Sequence, residues 1–541
     1  MLIVPYSGGK GVKMNASVTH EPRVLLIVAD SLMPGPLFKL MEEGKLPAFS
    51  FLAAHGFTSE MVSVFPTMSV VNDSTMLTGT YPDAHGIPGL VWFDPNENRL
   101  INYGDSFGNI LKQGLLRVAK DAMIFLNERH LKRDVQTIHE VLAERHLLSA
   151  SVNLMTRRGS YRHELRFPFD KLLGKEDITG PAELRSGFFT RSGHRGLPHP
   201  FNQYGYSNKV TEQMTLEIMR EKSPPRLLVT YLSDPDKKIH KHGPESVEAL
   251  YDIDRFIQHI LDAYPTREAA LKEWQIAVVG DSGQAPVVAN KKRAIVSLEK
   301  LLAPYKLRGM GKAVKDADLA LAVNERMVYV YPLHEDISLP QLASEIVRDD
   351  RVDLVAFAGR HLPEGENAGD SNEGNVTDVQ AGRDEIGTSE INTLPGRVYV
   401  YTAHGHLHFQ AGGTRVDPYG NPWELTGDAD LLDLRQQGGQ WVFGEYVDVF
   451  RQLYGAVHAQ QIPALAVTAK PGFEFKYQSA PTHVGGGSHG GISKQEMIVP
   501  LIVGGTTVKP MHNRLVDLKD YLLTLLGEDP EQSPPEQSPK D

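Results

Sequence analysis

Three aspartates in this chain follow apolar runs: Asp30 closes RVLLIVAD, Asp281 closes QIAVVGD, and Asp236 lies just beyond RLLVTYLSD, which ends at Asp234. Carboxylates gathered at the ends of strands repel one another unless a cation neutralises them. A single such aspartate reads more readily as a cap on the following turn. Three of them, with histidines nearby, point to a divalent metal. His240 stands four residues after Asp236 in SDPDKKIHKHGPES, a spacing that sets both side chains on one side of a helix or turn. His489 lies in GGGSHGG, where glycines let the backbone approach a ligand closely. Asp, His and His on open loops suit a catalytic cation that keeps one coordination position free.

A hydroxyl that such a cation could activate is found in FPTMSVVNDSTMLTG, residues 65–79. SVVNDSTMLTG reads as a helix that starts at Ser69 and closes at Gly79. The free N–H groups and partial positive charge of a helix N-terminus favour an anion. Ser69 is then a candidate nucleophile, and Asn72, one turn on, a candidate donor to a phosphoryl oxygen. The segment by itself leaves a second reading open, with Ser69 as an N-cap and Asn72 as a surface residue.

The elements that must position these groups are legible as pattern. RVLLIVAD, RLLVTYLSD, QIAVVGD and MIVPLIVGG are continuous apolar runs, as expected for strands buried on both faces of a parallel sheet. Between them lie helical patterns such as VEALYDIDRFIQHILDAY, residues 247–264, with apolar residues at helical spacing. Strands alternating with helices indicate a wound α/β sheet. The expected organisation is a flexible N-terminal segment over 1–22, a first core part over 23–310, an insertion or cap over 311–450 and a second core part over 451–526. Within the cap, residues 363–393 read as a mobile acidic loop, and the proline-rich 527–541 as a disordered tail.

The chain has 541 residues, a net charge of −11, 41% hydrophobic residues and no cysteine. Such a chain can bury a large core. Its acidity argues against nucleic acid or an anionic membrane as the main partner. The absence of cysteine removes disulfides and thiolate metal sites, leaving His, Asp, Glu and hydroxyl ligands. No run reaches the ~18 apolar residues of a membrane span, and the first residues lack the apolar core of a signal peptide, so a cytoplasmic protein is expected.

Taken in order, PTMSVVN, TG, YPDAHGI, LIVADSL, DPDKKIHKHGP and SHGG resemble the motifs of the alkaline phosphatase superfamily. Within it they are similar to those of the type I phosphodiesterase / nucleotide pyrophosphatase family. The resemblance implies a three-layer α/β fold, a central and mostly parallel sheet between helices, with an inserted cap region. It implies two divalent cations. One, most simply zinc, would be held by Asp236, His240 and His489. The other, zinc, manganese or magnesium, would be held by Asp30, Ser69, Asp281 and residue 282. The implied activity is phosphoric ester hydrolysis of the phosphodiesterase or pyrophosphatase type on a small-molecule substrate, through a phosphoseryl intermediate on Ser69, with Asn72 on the oxyanion side.

Two departures stand out. VVGDSGQ puts Ser282 where the family carries a histidine ligand, which shifts that site toward harder cations. Val70 follows the nucleophile where family nucleotidases often carry a base-stacking phenylalanine. Trp92 and Phe93 are then candidates to line the substrate pocket, although packing is the simpler reading for both. HGHLH, with His404, His406 and His408, is a candidate source of a replacement imidazole or a solvent-facing strand. Other readings within the superfamily are a phosphomonoesterase, a phosphonate hydrolase or a phosphomutase; a degenerate metal-binding member without turnover is the reading from another class.

Overall fold

A computed structural model describes residues 21–165, 169–172, 178–187, 189–190, 206–311, 314–362 and 396–531. The expected mobile loop over 363–393, most of the N-terminal segment and most of the proline-rich tail lie outside the described residues. In chain order, the strands that frame the site are β1 (Val24–Ala29), β2 (Gly56–Val62), β3 (Ser149–Val152), β4 (Glu183–Arg185), β5 (Leu227–Leu232), β6 (Gln275–Gly280), β7 (Leu319–Asn324), β8 (Met327–Pro332) and β9 (Ile498–Gly504). The helices that matter are α1 (Ser69–Thr78), α2 (Asp234–His242) and α3 (Glu248–Leu261).

The first sheet has seven strands in the order β2-β9-β6-β1-β5-β3-β4. Strands β6, β1, β5, β3 and β4 pair in parallel, and β9 runs antiparallel to both β6 and β2. All six residues of β1 are buried. Val24, Leu26 and Val28 join the core on one face, while Leu25, Ile27 and Ala29 join the core on the other. A period of two along a strand covered on both faces requires an unbroken apolar run, which is why β1 shows no alternation. Each such side chain contributes roughly 1.5–3 kcal/mol by leaving water. Helix α3 buries Leu250, Ile253, Phe256, Ile257, Ile260 and Leu261 on one of these faces, as its spacing predicts. Val70, Val71, Met76 and Leu77 of α1 pack into the opposite core. The architecture is the three-layer α/β arrangement expected.

A second sheet of ten strands extends from Leu307–Arg308 to Leu465–Ala469 and contains the β7–β8 hairpin. It draws strands from both sides of the 311–450 window. Leu465–Ala469 pairs with β8 on one side and Val352–Ala358 on the other. A short apolar run such as LAVTA fits a central strand of either sheet, and only pairing decides between them. Among the described residues no helix is long and apolar enough to cross a membrane.

Register explains why the aspartates meet. Ala29 stands beside Gly280 on one side and Leu232 on the other, so β1, β5 and β6 end level. Asp30 and Asp281 are the next residues on adjacent strands, and α2 begins two residues past β5. The carboxyl ends of parallel strands are where open α/β sheets bind ligands.

Candidate active site

Ser69 occupies the first position of α1, after Met68 in extended conformation, and makes no capping bond of its own. Its hydroxyl donates to Asp30 Oδ1 at 3.4 Å. The helix closes at Gly79, which adopts the left-handed conformation with φ 69°. Asn72 is fully buried: Oδ1 accepts from Ser63 Oγ at 3.4 Å, and Nδ2 has no hydrogen-bond partner among the described residues. A buried amide N–H without a partner costs free energy unless something else accepts from it. The surface-residue reading of Asn72 therefore falls, and so does the capping reading of Ser69.

Asp30 and Asp281 face one another across the strand ends. Burial, then the neighbouring Asp281 and Asp236 carboxylates, push the Asp30 carboxyl well above its usual range. Asp281 is raised as well, first by burial. Its Oδ1 accepts from the Ser31 and Ser282 backbone N–H groups at 2.9 and 2.7 Å. Its Oδ2 and the Ser282 hydroxyl are buried with no hydrogen-bond partner among the described residues. Tyr231 donates to Asp30 Oδ2 at 2.5 Å. Unpartnered oxygens and raised carboxyls that share one pocket fit a divalent cation, and the donor set is all oxygen, which suits a hard one.

The second group lies beside the first. Asp236 Oδ1 is 3.0 Å from His240 Nε2 and 3.5 Å from His489 Nε2. Each ring presents the correct nitrogen because its other nitrogen is engaged: His240 Nδ1 with the Gly487 carbonyl at 2.8 Å, and His489 Nδ1 with the Thr67 carbonyl at 2.5 Å. A protonated Nδ1 leaves Nε2 as the lone-pair donor, the arrangement typical of metal-bound histidines. The close approach depends on glycine. A Cβ on Gly486 would stand 1.9 Å from the His240 carbonyl, and one on Gly490, at φ 102°, would stand 2.4 Å from that of Asn324.

Sequence reasoning missed Glu325, which is part of this cluster. The β7–β8 hairpin turns through Glu325 and Arg326, and Glu325 has φ 59°. A bulky residue in that region costs about 1–2 kcal/mol, and such strain tends to mark function. Backbone bonds from Phe475 to the Glu325 carbonyl (2.9 Å) and from Arg326 to the His489 carbonyl (3.1 Å) hold the turn. Its carboxylate reaches within 3.6 Å of His240 Nε2 and 3.9 Å of His489 Nε2, and Ser488 Oγ donates to it at 2.8 Å. Two three-residue sets are thus close enough to hold a cation: Asp236, His240 and His489, and His240, Glu325 and His483. The usable signal was the turn itself, two alternating apolar strands joined by NER. Gln284 was missed as well; its Nε2 donates to Asp236 Oδ1 at 2.7 Å and to Ser31 Oγ at 3.0 Å.

Residues 24–492 match the family model for type I phosphodiesterase / nucleotide pyrophosphatase. The chain belongs to that family. It is thereby a member of the alkaline phosphatase superfamily. A curated relative, ectonucleotide pyrophosphatase/phosphodiesterase 1 of Saccharomyces cerevisiae, is 23% identical over 292 residues, a match that spans 50% of this chain and 35% of that protein. Among solved structures, murine ectonucleotide pyrophosphatase/phosphodiesterase 5, as an inactive variant in complex with AMP, superposes with a TM-score of 0.53 at 14% identity, covering 94% of this chain and 96% of that one. Phosphonoacetate hydrolase from Sinorhizobium meliloti 1021 in complex with phosphonoacetate gives the same TM-score, identity and coverage. At such identity these structures are similar in fold.

One expectation needs correction, and one reading left open is decided. Trp92 and Phe93 are packing residues: they point to opposite sides of one short strand, Trp92 into the core that holds α1 and Phe93 into the core of the second sheet. Trp92 Nε1 donates to Tyr103 at 3.3 Å, and the Phe93 ring lies 5.7 Å from that of Tyr331. His406 and His408 lie on the strand Gly405–Val416 of the second sheet, stacked on Tyr401 and against Tyr399, with His404 exposed at the preceding turn. Among the described residues none of the three joins a cluster able to hold a metal.

The electrostatics of the His/Asp group set a pH dependence. Burial lowers a histidine, yet Asp236 and then Glu325 raise His240 to about 9, from an ordinary 6.5. Burial would raise Glu325, yet His240, His489 and His483 hold it down to about 2, from 4.5. Stability that His240 lends the metal-free fold is full below pH 6.5 and lost as pH rises through about 9. That of Glu325 is present above pH 4.5 and lost as pH falls through about 2. A cation must displace the His240 proton, so zinc affinity is expected to rise about tenfold per pH unit for each proton released between pH 7 and 9. Competition with a chromophoric chelator at pH 7, 8 and 9 measures it, and a flat profile would contradict the assignment.

Proposed function

We propose that this chain is a metal-dependent phosphoric ester hydrolase of the phosphodiesterase or pyrophosphatase type, acting on a small-molecule phosphate ester through Ser69. The observation that carries this reading is the Ser69 hydroxyl at a helix N-terminus, 3.4 Å from the strand-end carboxylate Asp30, whose neighbour Asp236 lies with His240 and His489 in a cluster close enough to hold a cation. Residues Asp236, His240 and His489 would hold one cation, zinc by its donor atoms. Asp30, Ser69, Asp281 and Ser282 would hold the other, with zinc, manganese or magnesium as candidates. Bound there, the cations would neutralise phosphoryl oxygens and favour the alkoxide of a coordinated hydroxyl.

The chain's own residues do the rest. Ser69 Oγ attacks phosphorus in line with the leaving oxygen, and the bond from phosphorus to that oxygen breaks as the serine ester forms. Asp30 Oδ1, which accepts the Ser69 hydroxyl, is placed to take its proton. Asn72 Nδ2, buried and otherwise without an acceptor, donates to an equatorial phosphoryl oxygen, where a lone donor of this kind is typically worth about 10²–10³ in rate. Water then cleaves the serine ester, which for a diester releases the phosphate monoester, and restores Ser69. Val70, fully buried in the core, offers no stacking face to a nucleobase.

The test is a chelator-treated protein reconstituted with zinc, manganese or magnesium and offered a nitrophenyl phosphodiester, a nitrophenyl monoester and a phosphonate. Cleavage of the diester in preference to the others, abolished by chelation and restored by metal, is the expected outcome. A preference for the phosphonate would move the assignment to phosphonate hydrolysis, named for the Sinorhizobium meliloti protein. Tight binding of metal with no turnover on any of them would favour a non-catalytic member, the reading that Ser282 suggests.

A further inference from the structure

His240 has one nitrogen free to ligate, because Nδ1 is committed to the Gly487 carbonyl at 2.8 Å. Two ligand sets converge on that single Nε2. Toward the strand ends stand Asp236 and His489; toward the second sheet stand Glu325, 3.6 Å away, and His483, whose ring stacks on that of His240 with centroids 3.9 Å apart. His483 Nδ1 is 3.7 Å from Glu325 Oε2 and 3.4 Å from Glu474 Oε2. Glu474 is fully buried, and neither its Oε2 nor His483 Nδ1 has a hydrogen-bond partner among the described residues. At 3.4 Å the two make an ion-pair contact that does not meet hydrogen-bond geometry, so Glu474 does not pin the His483 ring and its Nδ1 can turn to a cation beside it. The side chains of His240, His483 and Glu325 are 13%, 17% and 11% exposed, so a cation can enter from solvent.

We infer that His240, Glu325 and His483 form an outer site for a borderline divalent cation of the zinc class, which competes with the inner Asp236/His240/His489 site for His240. Nε2 binds one cation at a time, and an imidazolate bridge is closed off by the proton on Nδ1. An outer cation therefore strips the inner one of a ligand. Two nitrogens and a carboxylate select zinc over magnesium or calcium. Low zinc fills the inner site and supports turnover; excess zinc fills the outer one and suppresses it; excess magnesium has no such effect.

Two measurements on the full-length protein decide it, one of them independent of the proposed hydrolase reading on which the inhibition rests. In a zinc titration followed by ¹⁵N resonances of the histidine rings, the His483 signal is expected to move to a metal-bound position only after the first equivalent. A His483 signal that never moves overturns the site whether or not the protein hydrolyses anything. In the activity assay, wild type is expected to lose at least about tenfold in rate between one equivalent and excess zinc, a change equal to ~1.4 kcal/mol in apparent barrier. The variant His483→Asn is expected to keep its low-zinc rate across that range. Equal inhibition of wild type and His483→Asn would overturn the competition.

Discussion

Replacing Ser69 by alanine is expected to lower turnover of a phosphodiester by at least about a thousandfold, the scale on which loss of a nucleophile is felt. The fold should hardly notice. The hydroxyl's bond to Asp30 is long, 3.4 Å, and α1 is held by Val70, Val71, Met76 and Leu77 in the core and by the left-handed Gly79 at its end. Alanine also has the best helix propensity. Denaturation midpoints within about 1 kcal/mol of wild type are therefore expected alongside the lost activity. Ser69→Thr keeps a hydroxyl at the same place and should retain activity. An acid quench during turnover should trap phosphate on wild-type protein and none on Ser69→Ala. Near-wild-type turnover in Ser69→Ala would remove the serine from the mechanism.

The residues in that prediction were legible because each sits where sequence pattern and backbone geometry coincide. Asp30 and Asp281 end unbroken apolar runs, and a buried parallel strand must end at a loop where a polar residue meets the site. Ser69 and Asn72 lie in the first turn of a helix with a glycine stop. Asp236 and His240 share one face of α2 by spacing alone. What escaped was whatever tertiary pairing decides. Strand β9 has the same apolar run whichever way it points, so its antiparallel course carries no signature. Glu325 lies within the stretch that reads as an insertion or cap, and it reaches the metal ligands only because the β7–β8 hairpin is bonded through its backbone to the His489 loop. His483 becomes notable only when its ring is found stacked on His240. Trp92 and Phe93 fail for a similar reason. Adjacent residues on a strand face opposite ways, and here two cores, one on each side, claim them both.

The same bonding between second sheet and site makes Arg326→Ala the variant with the largest expected cost in stability. Arg326 and Glu496 form an ion pair with both side chains wholly buried. The guanidinium also donates to the Phe473 and Ala469 carbonyls at 3.2 and 2.8 Å. Glu496 accepts from the Gly491 N–H at 2.8 Å and from Ser493 Oγ at 2.6 Å. The pair therefore stands between the hairpin that carries Glu325 and the loop that carries His489. Removing the cation alone leaves a carboxylate without its counter-charge in the interior, which typically costs about 3–5 kcal/mol. Arg326→Ala should accordingly shift the urea midpoint sharply downward and lose zinc affinity as the His489 loop slackens. The double variant Arg326→Met with Glu496→Gln removes both charges while keeping volume and the acceptor for Gly491, and should recover much of the stability. If the double variant were as unstable as Arg326→Ala, lost packing and not the stranded carboxylate would be the cause. If zinc affinity survived in both variants, the pair would be a strut of the second sheet with no hold on the site.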